Sequence, residues 1–151
     1  MKQVIKNILY SALLAGTMTA CDKLPENGDL DGQWQLTEIH DRQENVESDH
    51  SRCNVREQRI YWNFQLRMLQ ICSPEGQYNA YFSHREGSLA IPEIYRKEQN
   101  SDIPLTDPAT TELEYTGIRG NTADFKVNRL GKRQMILTSE TDSLVFRKIA
   151  L

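Results

Sequence analysis

Apolar and polar side chains alternate over residues 60–68, and this alternation limits the possible folds more than any other feature of the chain. The apolar side chains of this segment are those of Ile60, Trp62, Phe64, Leu66 and Met68. A period of two is typical of a β-strand, because successive side chains of a strand point to opposite faces of the sheet. After Met68 the phase shifts by one residue to Leu69 and Ile71. This shift predicts a β-bulge or a tight bend, such as a barrel strand needs in order to curve.

Shorter segments with the same period recur along the rest of the chain. Their apolar positions are Trp34 and Leu36; Tyr78, Ala80 and Phe82; Leu89 and Ile91; and alternating residues within about 122–130, 133–139 and 143–149. Turn-forming residues separate them, as at Pro74-Glu75-Gly76. Seven or eight short antiparallel strands predict an all-β barrel or sandwich, and a closed barrel of about eight strands leaves no exposed edge.

Three connecting segments interrupt this pattern. Residues 41–58 and 93–107 are polar and are predicted to be loops. Asp107-Pro108 is typical of a helix start and Gly117 of a helix end, so residues 108–116 are predicted to form a short helix. A strand is the alternative there, because Leu113 and Tyr115 also fit a period of two.

The first twenty residues have the layout of a secretory signal. Lys2 and Lys6 precede an apolar stretch at about 8–15, which is too short to span a membrane comfortably, and small residues follow. Met18-Thr19-Ala20-Cys21 resembles a bacterial lipobox. The resemblance implies cleavage before Cys21 and acylation of its thiol, for example with palmitate. We therefore expect residues 1–20 to be a signal peptide, 21–31 a lipidated tether and 32–151 the barrel domain.

The mature chain would be acidic, because the signal carries two of the 18 basic side chains and none of the 21 acidic ones. No basic patch stands out, so neither nucleic acid nor anionic lipid headgroups are expected as partners. If Cys21 is acylated, Cys53 and Cys72 remain in an oxidising compartment. They form either a disulfide or two separate thiols, because the sequence does not give the distance between them.

Gly32-Gln33-Trp34 resembles the pattern that opens the first strand of calycins and lipocalins. The resemblance implies that Trp34 plugs one end of the barrel and that Arg147, on the last strand, packs across its ring. The whole mature chain resembles the lipocalin-like lipoproteins of gut-dwelling Gram-negative bacteria, most of which have no assigned function. The features that carry this resemblance are the lipobox, Gly32-x-Trp34, residues 62–66, residues 135–137 and residues 144–148.

No catalytic or metal-binding pattern is present in the sequence. The acidic segment with His40, Asp41, Glu44, Asp49, His50 and Cys53 matches no zinc spacing, and no Gly-x-Ser-x-Gly elbow occurs. We therefore expect a non-enzymatic lipoprotein without a cofactor, anchored in the cell envelope. The outer membrane is favoured over the inner one, and the face is left open.

Two functions follow from this interpretation. The first is binding of a small apolar or amphipathic ligand inside the barrel, with core filling as the simpler role of the same side chains. The second is a protein-interaction module, an envelope inhibitor or an accessory subunit, that acts through loops 41–58 and 93–107. The predicted ligand-lining residues are Ile60, Trp62, Phe64, Leu66 and Phe82.

Overall fold

The computed structural model describes residues 26–42 and 52–149. Within these ranges it has ten β-strands, three 3-10 turns and no α-helix. No helical segment there is long and apolar enough to cross a membrane. The strands are β1 (Gly32–Asp41), β2 (Arg52–Asn54), β3 (Tyr61–Gln65), β4 (Met68–Cys72), β5 (Gln77–Arg85), β6 (Ser88–Lys97), β7 (Asp102–Pro104), β8 (Ala123–Leu130), β9 (Gln134–Thr138) and β10 (Asp142–Lys148). The 3-10 turns span Gly28–Leu30, Arg56–Gln58 and Glu114–Thr116.

Eight of these strands form a closed antiparallel ring in the order β1, β3, β4, β5, β6, β8, β9 and β10. The ring closes where β10 pairs with β1, from Trp34 opposite Lys148 to Asp41 opposite Asp142. The short strands β2 and β7 pair with β1 and β6 outside the ring. The predicted all-β barrel of about eight strands is confirmed.

Register shifts bend the ring strands where the barrel wall must curve. They occur between Leu36 and Glu38 on β1, between Tyr81 and Ser83 on β5, and between Val127 and Arg129 on β8. A bulge adds a residue to one strand and increases its local twist. The shifts therefore supply the curvature that closes the sheet.

The phase change at residues 68–69 has a different origin from the one predicted. Residues 60–68 do not form one bulged strand, because β3 ends at Gln65. Gln65 pairs with Met68, which is the first residue of β4. Leu66 and Arg67 form the turn, and Leu66 adopts a left-handed backbone conformation with φ 57°. Neither residue is a typical turn former, so the sequence carries no local signal for this hairpin.

The predicted helix at 108–116 is wrong. The segment consists of turns, and its only helical part is the 3-10 turn Glu114–Thr116. Asp107 acts as a turn former rather than a helix cap, because its carboxylate accepts a hydrogen bond from the Ala109 amide at 2.9 Å. Gly117 ends the 3-10 turn in a left-handed conformation with φ 88°, which is the role expected of a glycine after a helix.

The predicted loop at 93–107 is also largely wrong. β6 continues to Lys97 and forms a hairpin with β7 at Asp102–Pro104. Pro92 lies within β6, next to Ile91, where pairing with β8 ends. This position suits a proline, which has no amide hydrogen to donate to a neighbouring strand. The interaction-module hypothesis therefore loses one of its two loops. Of the other, 41–58, residues 43–51 lie outside the described residues, and the remainder contains the short strand β2 and the 3-10 turn Arg56–Gln58 rather than loop alone.

The barrel has two different ends. At the tether end, β1 begins and β10 finishes, and the 3-10 turn Gly28–Leu30 brings the fully buried Leu30 against the core. At the cap end, residues 107–118 lie over the barrel and bury Leu113 and Ile118 completely. Apolar side chains between the two ends form one continuous core.

Candidate ligand site inside the barrel

An aromatic cluster occupies the middle of the barrel. The ring centroid of Trp62 lies 5.0 Å from that of Phe146, 5.9 Å from that of Phe125 and 6.2 Å from that of Phe64. Phe64 in turn meets Phe82 edge to face at 5.1 Å. Tilted and edge-to-face contacts at these distances are favourable for aromatic rings. Because β3 and β8 lie on opposite sides of the ring, the contact between Trp62 and Phe125 spans the interior.

Four of the five predicted lining residues point into this interior. Ile60, Trp62, Phe64 and Phe82 are buried, as the alternation predicts. Leu66 is the exception, because it lies in the β3–β4 turn and its exposed fraction is 58%. The prediction for Leu66 was wrong because the strand ends one residue before it.

Trp62 also carries an unsatisfied polar group. Its indole Nε1 is buried and has no hydrogen-bond partner among the described residues. A buried donor without an acceptor costs about 1–3 kcal/mol, so proteins rarely leave one without a reason. Trp34 shows the usual arrangement, since its Nε1 donates to the Leu30 carbonyl at 2.8 Å. No sequence pattern marks an unpaired indole, because pairing depends on the tertiary neighbours.

The tether end is closed around Trp34, but not by the predicted cation. Lys148 places its Nζ 4.8 Å from the centroid of the fully buried Trp34 ring and donates to the Asp29 carbonyl at 2.7 Å. Arg147 is exposed on the other face of β10, opposite Gln35 of β1. The pairing of Trp34 with Arg147 is therefore wrong. Because side chains alternate along a strand, the cation that contacts Trp34 is the residue after Arg147, Lys148, which lies directly opposite Trp34.

A carboxylate anchors the cap end. Glu112 accepts a hydrogen bond from the Tyr78 hydroxyl at 3.0 Å, and Arg96 donates to both of its carboxylate oxygens at 3.0 Å. The Tyr115 and Ser73 hydroxyls form a second link at 2.9 Å. Burial, and then the bond to Glu112, raise the pKa of Tyr78 above its usual range. These contacts fasten residues 107–118 to the rim of the barrel.

The candidate disulfide between Cys53 and Cys72 is not formed, because Cys72 is a free thiol. Cys53 lies opposite Ile39 on β1, whereas Cys72 lies opposite Tyr61 of β3, which itself pairs with Gln35. The two cysteines therefore lie level with Ile39 and Gln35, which are four residues apart on β1, or about 13 Å. This separation exceeds the ~7 Å that a disulfide allows between Cα atoms. Burial raises the pKa of the Cys72 thiol.

Several other predicted positions fall outside the described residues. They include Cys21 with the rest of residues 1–25, and Glu44, Asp49 and His50 of the acidic segment. Of that segment, His40 is described, and its Nε2 lies 2.9 Å from Oε2 of Glu38. Within residues 26–42 and 52–149, no three histidine, cysteine or acidic side chains are grouped as a metal ion would require.

Comparison with solved structures shows proteins of similar fold. A lipocalin-like protein from Bacteroides uniformis is 20% identical with a TM-score of 0.56, covering 81% of this chain and all of its own. An uncharacterized protein from Bacteroides eggerthii is 17% identical with a TM-score of 0.51, covering 79% of this chain and 98% of its own. At these identities the likeness shows the fold alone. No protein with a curated description matches the chain.

The family model of the lipocalin-like domain matches residues 16–149, which is most of the chain. The match agrees with the closed eight-strand ring. Proteins with this fold are generally non-enzymatic, and the fold suggests a ligand-binding domain. The chain therefore belongs to the family of lipocalin-like domains.

Proposed function

We propose that this protein is a non-enzymatic, lipid-anchored lipoprotein of the cell envelope that binds a small amphipathic ligand inside its barrel. The ligand-binding part is supported by the fold, which suggests such a domain. The observation that carries it is the buried indole N–H of Trp62, which has no acceptor among the described residues. A ligand that brings an acceptor into the barrel would remove the cost of that unpaired donor.

The surroundings of Trp62 indicate the chemistry of the ligand. Phe64, Phe125 and Phe146 pack around the indole, so most of the ligand must be apolar. Among the described residues, the Trp62 N–H is the one buried side-chain donor without a partner, so a single carbonyl, hydroxyl or carboxylate oxygen is sufficient to pair with it. A fatty acid or a similar chain with one polar end has this composition.

Side chains fill the barrel at the level of Trp62, so ligand entry requires both that a closure moves and that these side chains repack. The cap segment, residues 107–118, is the better candidate. Its polar attachment to β5 and β6 depends on Glu112. The tether end is instead sealed by Leu30, Trp34 and Lys148. Entry of a ligand at the cap end would leave the tether undisturbed.

A fluorescent fatty acid tests this site directly. Residues 21–151, produced without the signal and with Cys21→Ser, should bind cis-parinaric acid saturably. Trp62→Phe keeps an aromatic ring but removes the donor, so it should weaken binding by about five- to tenfold, the value of one hydrogen bond. The matched control is Trp34→Phe, whose indole lies at the tether end and donates to Leu30. This control should retain the affinity within twofold, with circular dichroism confirming the fold of both variants. Absence of saturable binding, or equal affinity in the two variants, would contradict the proposal.

Lipid anchoring through Cys21 is tested separately in the precursor. Cys21→Ala should abolish palmitate labelling and release the protein from the membrane fraction, because no thiol remains at the lipobox. Cys72→Ala is the matched control, since it removes a free thiol of β4 and should leave labelling unchanged. If the Cys21→Ala protein still incorporates palmitate and sediments with membranes, the anchor is not at Cys21.

A further inference from the structure

Four basic side chains gather at the tether end of the barrel. Lys132 and Arg133 lie in the β8–β9 turn, and Arg147 and Lys148 lie at the end of β10. Together they line a surface groove of about 840 Å³, in which Asp31 is the one acidic lining residue. The whole chain has a net charge of −3, so this groove differs in sign from the molecule as a whole.

The basic groove forms only through folding. Its two pairs are fourteen residues apart in sequence, and the β9–β10 hairpin brings them together. The Lys148 amide donates to the Arg133 carbonyl at 3.0 Å and fixes the two pairs side by side. The expectation that no basic patch stands out is therefore wrong, because a pair of cations in a sequence does not show what it meets across a hairpin.

The same end also exposes apolar side chains. Leu66 is 58% exposed in the β3–β4 turn and Met68 is 48% exposed beside it, with the exposed Arg67 between them. This turn lies next to the N-terminal segment, because the Asn27 side chain donates to the Leu66 carbonyl at 2.7 Å. The N-terminal segment thus passes between an apolar tip and a basic groove.

The position of the tether determines which way this end points. β1 begins at Gly32, which lines the basic groove, and the chain leads back from there to Cys21. Ten residues between Cys21 and Gly32 can reach at most about 35 Å when fully extended. A lipid on Cys21, which is part of the proposed function, would keep the tether end close to the bilayer.

We propose that the tether end docks on an anionic lipid bilayer, with Lys132, Arg133 and Arg147 on the headgroups. Leu66, at the tip of the β3–β4 turn, enters the interfacial layer. Juxtamembrane basic clusters are attracted by anionic leaflets, and exposed apolar side chains add contact area there. The docked barrel presents its cap end, where the ligand would enter, away from the membrane.

This charge recognition can be measured without the lipid anchor. Residues 21–151 with Cys21→Ser contain every described strand pairing and the whole described core, from Leu30 onward. This protein should sediment with vesicles of 40% phosphatidylglycerol in phosphatidylcholine at 50 mM NaCl. Its affinity for vesicles of phosphatidylcholine alone should be at least about tenfold lower, and 500 mM NaCl should abolish the difference.

A pair of double variants locates the surface. Lys132→Glu with Arg133→Glu should lower binding to the anionic vesicles at least about tenfold. Lys97→Glu with Lys126→Glu makes the same change in net charge at exposed positions outside the groove and should alter binding less than twofold. Equal binding to both kinds of vesicle, or equal loss in the two double variants, would overturn the docking proposal. If Cys21 is not lipidated in the precursor, only the proposal of a lipid anchor is contradicted, because the vesicle assay uses a protein without the lipid.

Discussion

Residue spacing on β10 decides which cation covers Trp34. Lys148 shares the inward face with Trp34, and its ammonium lies over the indole, whereas Arg147 points outward. Lys148→Ala should therefore lower the free energy of unfolding by about 1 kcal/mol, the usual value of a cation–π contact. Arg147→Ala is the matched control and should change it by less than about 0.5 kcal/mol, as expected for an exposed side chain. Urea denaturation of both variants measures the difference, and a larger loss for Arg147→Ala would contradict the assignment.

Gly117 illustrates a close approach that only glycine allows. A Cβ on Gly117 would lie 2.5 Å from Leu144 Cδ2, and its φ is 88°. Gly87 has a similar φ of 77° but no atom within 4 Å of a Cβ, so it carries the backbone cost alone. Gly117→Ala should therefore destabilise the protein by about 1–3 kcal/mol more than Gly87→Ala. Thermal or urea unfolding of both variants measures this, and equal losses would show that the cap does not press on Leu144.

Individual side chains differ in how well the sequence predicts them. Alternation correctly directs Trp62, Phe64 and Phe82 inward, because a strand has only two faces and the apolar one is buried. The same rule fails for Leu66, where it is applied beyond the end of the strand. The unpaired indole of Trp62 is a property of its neighbours in space, so the sequence cannot show it.

Among the elements, strands are predictable here and their connections are not. The period of two identifies β3, β5, β9 and β10, because each buries one face against the core. The sequence does not predict the β3–β4 hairpin, because its turn residues are Leu66 and Arg67 rather than the usual turn formers. The Asp-Pro and Gly that flank the cap segment are typical of a helix, yet the segment folds as turns that fit over the barrel rim.

The cap should make stability depend on pH in the alkaline range. Burial and the bond to Glu112 raise the pKa of Tyr78 in the folded state, so the unfolded chain loses this proton first. The contribution of Tyr78 is therefore fully present below the unfolded pKa of about 10 and declines as the pH rises above it. Tyr78→Phe should flatten this part of the pH profile, as measured by urea denaturation between pH 8 and 11. An equally steep decline in the variant would assign the pH dependence to other groups.

At the scale of the whole molecule, the barrel is a closed ring with two unlike ends. One end carries the tether, the basic groove and exposed apolar side chains; the other carries a cap held by a carboxylate. The number of strands and the closure follow from the sequence pattern and the lipocalin resemblance. The difference between the ends does not, because residues distant in sequence create it.

The central claim is that the barrel holds a ligand whose polar atom accepts a hydrogen bond from Trp62. The indole N–H resonance of Trp62 measures this most directly, in ¹⁵N-labelled residues 21–151 with Cys21→Ser. The Trp34→Phe variant assigns the two indole signals. With saturating dodecanoic acid, the Trp62 proton should move downfield as it gains an acceptor, while the Trp34 proton, already bonded to Leu30, stays in place. An unchanged Trp62 resonance in the presence of bound fatty acid would contradict the account.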